Sequence, residues 1–393
     1  MRKPLRTFAG LAGMDLSSRT AYQMGKSPVL PLFALSLGAG AEMVGLVVGI
    51  STVAGILLKP MMGRLSDRFG RRPLLLLGAA LFVLVPSFYL MIDSVPGLLA
   101  LRLSHGVATA IYGPVMAALV VDLFSQPQQG LKAFGWYDFF RSGGYVIGPL
   151  LGGLALSRWG DPAIVYLCSA VIALPALIPA LLLPADSPRV VEPTPLLVQR
   201  SWLPGPGVRL PVALEVCARV LSRMTVVFWP LAVVESVSPA LMGIVLAALA
   251  TGSLLCKPLF GFLATRFGVI RLALVGALFM VLGAPALFAA HSIVFQVLAA
   301  VAIGIGEGLI SPAVMGLVAY AAPVQHRGET MGRLGAWRNS GKAAGPILCG
   351  FIVSLTGPLV AASLCALPLA FTAVKLARVC EPTQATPVTA AGG

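Results

Sequence analysis

Charge is what this 393-residue chain has least of. Only 11% of its residues are Asp, Glu, Lys or Arg, 58% are hydrophobic, and the mean hydropathy is +0.92. A soluble chain carries about 25% charged residues, so the scarcity excludes a soluble globular protein and points to an integral membrane protein. Acids are scarcer still, with 14 Asp and Glu against 28 Lys and Arg and a formal net charge of +14. That excess does not signal nucleic acid, because no basic run is interleaved with aromatics as a single-strand-binding surface requires. The three histidines are dispersed, and the six cysteines, Cys168, Cys217, Cys256, Cys349, Cys365 and Cys380, include no C-x-x-C pair. Neither a metal nor a cofactor is expected, and five of the cysteines lie in apolar runs as small apolar residues. No nucleophile–base constellation suggests an enzyme. Residues 1–10 are basic and lead into a polar helix, which suits a retained first span better than a signal peptide.

What the chain has in quantity is long apolar runs. A helix needs roughly 17–25 residues to cross a hydrocarbon core. Six such spans can be drawn at 8–33, 41–62, 73–92, 96–122, 131–157 and 162–183. Six more follow at 209–234, 239–261, 270–290, 293–322, 330–355 and 358–379. Barrel strands would show only about 9–11 residues each, so the expected fold class is an all-α membrane protein of twelve transmembrane helices. The stretch 184–208 interrupts the series with Pro184, Pro188, Pro193, Pro195, Pro204 and Pro206. Prolines at that density cannot continue a helix and favour a semi-extended linker. The expected domains are a six-helix bundle over 1–183, a cytoplasmic linker over 184–208, and a second six-helix bundle with a short tail over 209–393.

The two halves repeat one another. Lys59-Pro60 and Gly63 through Arg68-Phe69-Gly70 recur as Lys257-Pro258 and Gly261 through Arg266-Phe267-Gly268. Gly106 and Pro114 recur as Gly304 and Pro312, and the G-x-x-x-G-P-x-x-x-G run from Gly144 to Gly153 recurs from Gly341 to Gly350. A parallel repeat of six spans suits two half-bundles with a substrate site between them. Outside the spans, nearly all Lys and Arg fall on alternate loops, while Glu42, Asp93, Asp161 and Glu235 lie on the others with Arg158. The positive-inside rule then places both termini in the cytoplasm, and compact loops suit a cell inner membrane. Lys59 and Lys257, near span ends, are expected to snorkel to the headgroups.

One loop stands out. Residues 63–72 read G-R-L-S-D-R-F-G-R-R, with Gly63 and Gly70 free to take the backbone angles of a tight helix-to-helix turn. This closely resembles the signature loop between helices 2 and 3 of the major facilitator superfamily of secondary transporters. Its second copy is degraded, with Thr265 standing where Asp67 does. The run from Arg102, R-L-S-H-G-V-A-T-A, resembles the superfamily's helix-4 motif, with His105 where glutamine is usual. Gly144, Gly148, Pro149, Gly152 and Gly153 match the helix-5 motif associated with its exporters. Small residues there let another helix approach closely, and Pro149 permits a bend. The resemblance implies a twelve-helix fold of two pseudo-symmetric bundles, like the drug/proton antiporter branch, working as a monomer. It further implies a conformational latch at Gly63, Asp67, Arg68, Gly70, Arg71 and Arg72, with Asp122 able to meet the Arg68 region. Arg102 would take part in proton coupling, the simpler alternative being an arginine that pins the outer end of its helix.

Ionisable groups inside spans are the strongest pointers to a site, since each costs roughly 2.5–3.5 kcal/mol at the membrane centre on insertion scales. Asp15, Arg19, Tyr22, Gln23 and Lys26 share one helical face in the first span, by the 3.6-residue period. Glu215, Arg219, Ser222 and Arg223 repeat the device in the seventh. The Asp15–Arg19 and Glu215–Arg219 spacings also suit plain i,i+4 pairs, which leaves Lys26 and Arg223 unexplained. The fifth span adds Asp138 and Arg141, and the eleventh adds Arg338, Asn339 and Lys342. Glu307, deep in the tenth, would hold a proton unless a cation such as Arg338 pairs with it.

Eight cations oppose four acids across these spans, a field that favours an anionic or zwitterionic substrate. The expected substrate contacts are Arg19, Tyr22, Gln23, Lys26, Arg219, Arg223, Arg338 and Asn339. The expected proton-coupling set is Asp15, Arg102, Asp138, Arg141, Glu215 and Glu307. Together they suggest proton-coupled efflux of a small organic compound, drug-like or anionic, by alternating access. The first alternative is uptake or exchange of an organic anion clamped by Arg19 and Arg219. A more distant one is a non-transporting receptor or scaffold.

Overall fold

The computed structural model describes residues 2–123, 127–183, 206–321 and 327–380. Among them the chain forms twelve helical rods and no strand. The first set comprises α1 (Arg2–Met24, carried through a π turn at Gly25–Val29 into Leu30–Ser36), α2 (Ala41–Phe69) and α3 (Arg71–Ser87, closed by a 3-10 turn at Phe88–Met91). It continues with α4 (Val95–Asp122), α5 (Pro127–Trp159) and α6 (Pro162–Ala173, extended through Leu174–Ala176 to Leu177–Leu182). The second set comprises α7 (Arg209–Ala232), α8 (Pro239–Phe267), α9 (Val269–Ala289), α10 (Ile293–Ala321), α11 (Arg327–Thr356) and α12 (Pro358–Cys380). Positions 184–205 of the expected linker lie outside the described residues, as do the side chains of Asp67 and Asp122.

The local causes are plain at the rod ends. Pro162, Pro239 and Pro358 open α6, α8 and α12, where a missing N–H costs nothing and the fixed φ suits a first helical turn. Gly70 and Gly268 turn α2 into α3 and α8 into α9 with φ of 87° and 85°, angles that a side chain strongly disfavours. Gly63 differs from expectation. It lies inside α2, which runs on to Phe69, because L-S-D-R-F is compatible with helix and only Gly70 breaks it. The expected single span 8–33 is also interrupted, since Ser27 takes φ −143° and ψ 125° before Pro28. A residue preceding proline is driven out of the helical region.

Packing repeats with the sequence. In the first set α1 lies against α5 and α6, α2 against α4, and α3 against α4 and α6. In the second, α7 lies against α11 and α12, α8 against α10, and α9 against α10 and α12. The two bundles meet through α2 with α11 and α5 with α8, which are corresponding pairs under the same pseudo-symmetry. Large apolar side chains such as Leu57, Phe262, Phe295 and Leu367 point outward and are exposed, as a lipid-facing surface requires. Seven rods are long and apolar enough by composition alone to cross a membrane. Among the described residues, rods α1, α4, α5, α7 and α11 fall outside that set, and these carry most of the inward charges.

The closest inter-bundle contacts are at the ends remote from the 63–72 loop. A Cβ on Gly350 would lie 2.7 Å from the Ala41 carbonyl of α2, and one on Gly243 would lie 2.5 Å from the Pro149 carbonyl of α5. Leu30 and Phe33 join Val44, Phe228, Trp229 and Met242 in one buried apolar cluster spanning both bundles. This face of the molecule is sealed at backbone distance. The protein is a multi-pass membrane protein.

Candidate functional site

In the second bundle the inward charges form an alternating chain. The Arg338 Nε lies 2.8 Å from Glu215 Oε1, and the same oxygen accepts from Arg219 Nε at 2.9 Å. Arg219 Nη1 pairs with Glu307 Oε1, whose partner oxygen accepts from Ser222 Oγ at 2.7 Å and lies 3.6 Å from Arg223 Nη2. Glu307 therefore pairs with Arg219 and Arg223, while Arg338, the cation named for the paired alternative, is committed to Glu215. A buried carboxylate is tolerated only with its charge and lone pairs satisfied, and here each acid has two guanidinium neighbours. Glu307 sits midway along α10, as the sequence predicts.

The first bundle builds a similar chain. Asp15 lies 3.6 Å from Arg19 and 3.7 Å from Arg141, and accepts a 2.8 Å hydrogen bond from Tyr137. Arg141 reaches Asp138 at 4.0 Å. Asp138 in turn lies 2.9 Å from Lys257 of α8, which also donates to Ser142 at 2.7 Å. Lys257 is thus no headgroup-seeking lysine. The close approach of α5 to α8 turns it toward an acid of the other bundle, in the only cross-bundle ion pair among the described residues. Lys59 departs from the same expectation, being half-buried and within electrostatic reach of Arg19 and Arg141.

Glycines set these positions. A Cβ on Gly144 would lie 2.8 Å from the Arg19 Cβ, and one on Gly148 would lie 2.5 Å from the Gln23 Cβ. In the second bundle Gly341 and Gly345 stand each 3.0 Å, by the same measure, from the Cβ of Arg219 and Arg223. The helix-5 motif and its repeat in α11 therefore bring α1 and α7, with their charged faces, close to their neighbours. Gly153 faces the other way, against α8.

Between the chains lies a cluster of cations from both bundles. Lys26 stands 5.3 Å from the Tyr22 ring centroid and Arg19 stands 5.8 Å from that of Tyr145. Tyr145 is within electrostatic reach of Arg19, Lys26, Arg141 and Arg223, and Lys342 is within reach of Arg219, Arg223 and Arg338. Asn339 is half-buried on the same helix as Arg338 and Lys342.

Arg102 stands apart from both chains. It is 1% exposed and donates to Ser51 Oγ at 2.6 Å, Tyr22 Oη at 3.3 Å, Val47 O at 3.3 Å and Tyr89 Oη at 3.4 Å. His105 Nδ1 lies 3.0 Å from the Tyr89 hydroxyl. Arg102 thus ties α4 to α1, α2 and α3 inside the first bundle, and touches the central cluster only through Tyr22. In the 63–72 loop, Arg72 Nη2 donates to the Leu181 carbonyl at 2.9 Å, holding the start of α3 to the end of α6. Arg68 and its repeat Arg266 each lie over the adjacent phenylalanine, at 5.4 and 5.6 Å.

Sequence reasoning missed Tyr137, Tyr145, Ser142 and the two lysines Lys59 and Lys257 as members of the site. The recurrence of Lys-Pro at one place in each half was a usable signal, since a lysine needed only for the headgroups has no reason to repeat. Tyr137 and Tyr145 flank Asp138 and Arg141 on one helix, and six of the chain's seven tyrosines lie in the first half.

Comparison with known proteins agrees with this architecture. The family model of the Major Facilitator Superfamily matches residues 20–214 and again 212–393. The chain is 25% identical over 155 residues to the multi-drug resistance efflux pump PmrA of Streptococcus pneumoniae, an alignment spanning 38% of each chain. It is 35% identical over 135 residues to the class B tetracycline resistance protein of Escherichia coli, covering 33% of this chain and 32% of that one. An uncharacterised MFS-type transporter of Methanocaldococcus jannaschii is 22% identical over 339 residues, or 84% of this chain and 87% of that one. Among solved structures, the nucleoside transporter NupG superposes with a TM-score of 0.79 at 12% identity, over 95% of this chain and 100% of that one. The peptide transporter POT in complex with sulfate gives 0.78 at 14% identity, over 96% and 94%. The chain is a transporter, not an enzyme, and belongs to the major facilitator superfamily.

Proposed function

We propose that this transporter exports a small organic molecule in exchange for protons, by alternating access. The observation that carries the proposal is Glu307, a carboxylate midway along α10 that gathers Arg219, Arg223 and Ser222 of α7. A proton on Glu307 cancels its charge and frees two guanidinium groups toward the space between the bundles. Loss of that proton restores the pairs, so proton and substrate occupancy are linked through the same arginines. Asp15, with Arg19, Arg141 and Tyr137, is the matching device of the first bundle.

Direction is supported by the helix-5 glycines, which seat α5 on α1 and α8, and by partial relatives named as efflux pumps. With the arginine loops cytoplasmic, the sealed face is the outer one, and this arrangement is the state that accepts substrate from inside. A bacterial inner membrane, a monomer and a latch at Asp67, Arg68 and Arg71 complete the proposal. Each proton moving down a membrane potential supplies about 2.3 kcal/mol per 100 mV. The test uses inside-out vesicles with an imposed pH gradient and a trapped pH dye, to which organic compounds are added singly. Substrate-evoked proton release that vanishes in Glu307→Gln is expected. Substrate flux that persists at full rate after the gradient is collapsed overturns the proposal.

A further inference from the structure

Between the bundles the supply of negative charge is exhausted before the cations are. Asp15 is shared by Arg19 and Arg141, Asp138 by Arg141 and Lys257, Glu215 by Arg219 and Arg338, and Glu307 by Arg219 and Arg223. Lys26, Lys59 and Lys342 are left without a carboxylate within 4.0 Å among the described residues, although each is half-buried in the span region. Lys26 of α1 and Lys342 of α11 belong to opposite bundles, and both are within electrostatic reach of Arg223. Several guanidinium nitrogens there, Arg19 Nε, Arg223 Nε and Arg338 Nη2, are buried without an acceptor. Buried donors without partners are costly, and lysines withdrawn from water without counter-charge are costlier. The region therefore holds an excess of cations and of buried donors, against which the one unpartnered carboxylate oxygen among the described residues is Glu215 Oε2, while the faces of Tyr22 and Tyr145 supply apolar surface beside it.

We infer that this site takes a compact organic anion carrying two negative charges close together, a dicarboxylate or a phosphate monoester, held between Lys26 and Lys342 beside Arg223. The inference rests on the transport reading above and names its substrate class. The arginines of the sequence-based clamp, Arg19 and Arg219, are already neutralised by Asp15, Glu215 and Glu307, so the discriminating cations are the lysines. A dianion bridging α1 and α11 draws the bundles together, as a substrate must to promote closure. A monoanion leaves most of the cationic excess unanswered, and a lipophilic cation meets repulsion.

The test is equilibrium binding to the purified full chain in nanodiscs at fixed ionic strength, read by thermal shift and titration calorimetry. The probes are succinate and phenyl phosphate as dianions, butyrate as a monoanion and tetraphenylphosphonium as a cation. At least one dianion is expected to bind at least tenfold more tightly than butyrate. That affinity should fall at least tenfold in Lys26→Gln and in Lys342→Gln, and Lys342→Arg should restore most of it. Tighter binding of the cation, or dianion binding indifferent to both lysines, overturns the inference. If neither glutamine variant folds, Lys26→Arg and Lys342→Arg must retain dianion selectivity, and its loss in both counts as refutation. Dianion binding without proton-coupled flux sustains this inference while overturning the export reading. Proton-coupled export of cations without dianion binding does the reverse.

Discussion

Arg219 illustrates how this chain keeps charge inside a membrane. It bonds Glu215 and Glu307 at once, and each of those acids has another arginine beyond it. The alternation means that none of these five groups faces the low-dielectric interior alone, and deleting Arg219, Glu215 or Glu307 exposes two neighbours. Arg219→Ala should therefore cost about 3–5 kcal/mol of stability, the usual range for breaking a buried pair. Tyr137→Phe removes one neutral donor from Asp15 and should cost about 1 kcal/mol. Unfolding of both variants in mild detergent, followed by circular dichroism, checks the order. Equal losses would mean that water reaches the second-bundle chain and screens it.

At the scale of the element, the glycine rows of α5 and α11 decide where the charged faces of α1 and α7 lie. Their spacing recurs in the two halves, and so do the contacts, Gly144 with Arg19 and Gly341 with Arg219. Gly148→Val places a branched side chain where even a Cβ would sit 2.5 Å from Gln23 and 2.9 Å from the Met24 backbone nitrogen. Overpacking of that kind costs about 1–3 kcal/mol, and here it also pushes Arg19 and Lys26 out of register with the second bundle. Gly63 has no neighbour within 4 Å of its Cβ position and lies in a helix. Gly63→Ala should accordingly raise stability by about 0.5–1 kcal/mol. Thermal melts of the pair check opposite signs for two substitutions within the superfamily's own motifs.

For the whole molecule the question is what holds the two bundles in this arrangement. The sealed face is held by helix-to-helix contact and an apolar cluster, while deeper in, the bundles are joined by Asp138 and Lys257. Their side chains are 42% and 39% exposed, so solvent screening limits the pair to roughly 0.2–1 kcal/mol. A contribution of that size suits a latch that must open. Lys257→Gln should shift the population by a factor of about 1.4–5 toward the state open on the sealed face, and Asp138→Asn should have the same effect. The double variant should add little to either, because the two share one interaction. Spin labels at the sealed-face ends of α2 and α11 measure that population, and an unchanged distance distribution would remove the pair from the mechanism.

Much of the architecture was legible from residue order alone. Nine of the twelve rods fall within four residues of the apolar runs, because hydrocarbon thickness fixes how long an apolar helix must be. Rods α1, α2 and α8 run on by six or seven residues past the apolar stretch. Gly70 and Gly268 end their helices because nothing but glycine suits those angles, and the stripes on α1 and α7 face inward because lipid will not accept them. Less legible was the interruption of α1 before Pro28, whose S-P signal is short and lies within an apolar run. Neither the pairing of Arg338 with Glu215 nor that of Lys257 with Asp138 could be read from the sequence. Helical periodicity assigns a side chain to a face, but not the rotation of the facing helix or its depth. Those were decided by the close approach of α5 to α1 and α8 and of α11 to α7 and α2. Once those contacts set the registers, the acids had their cations, and the lysines left over between the bundles became the feature that only the tertiary structure could single out.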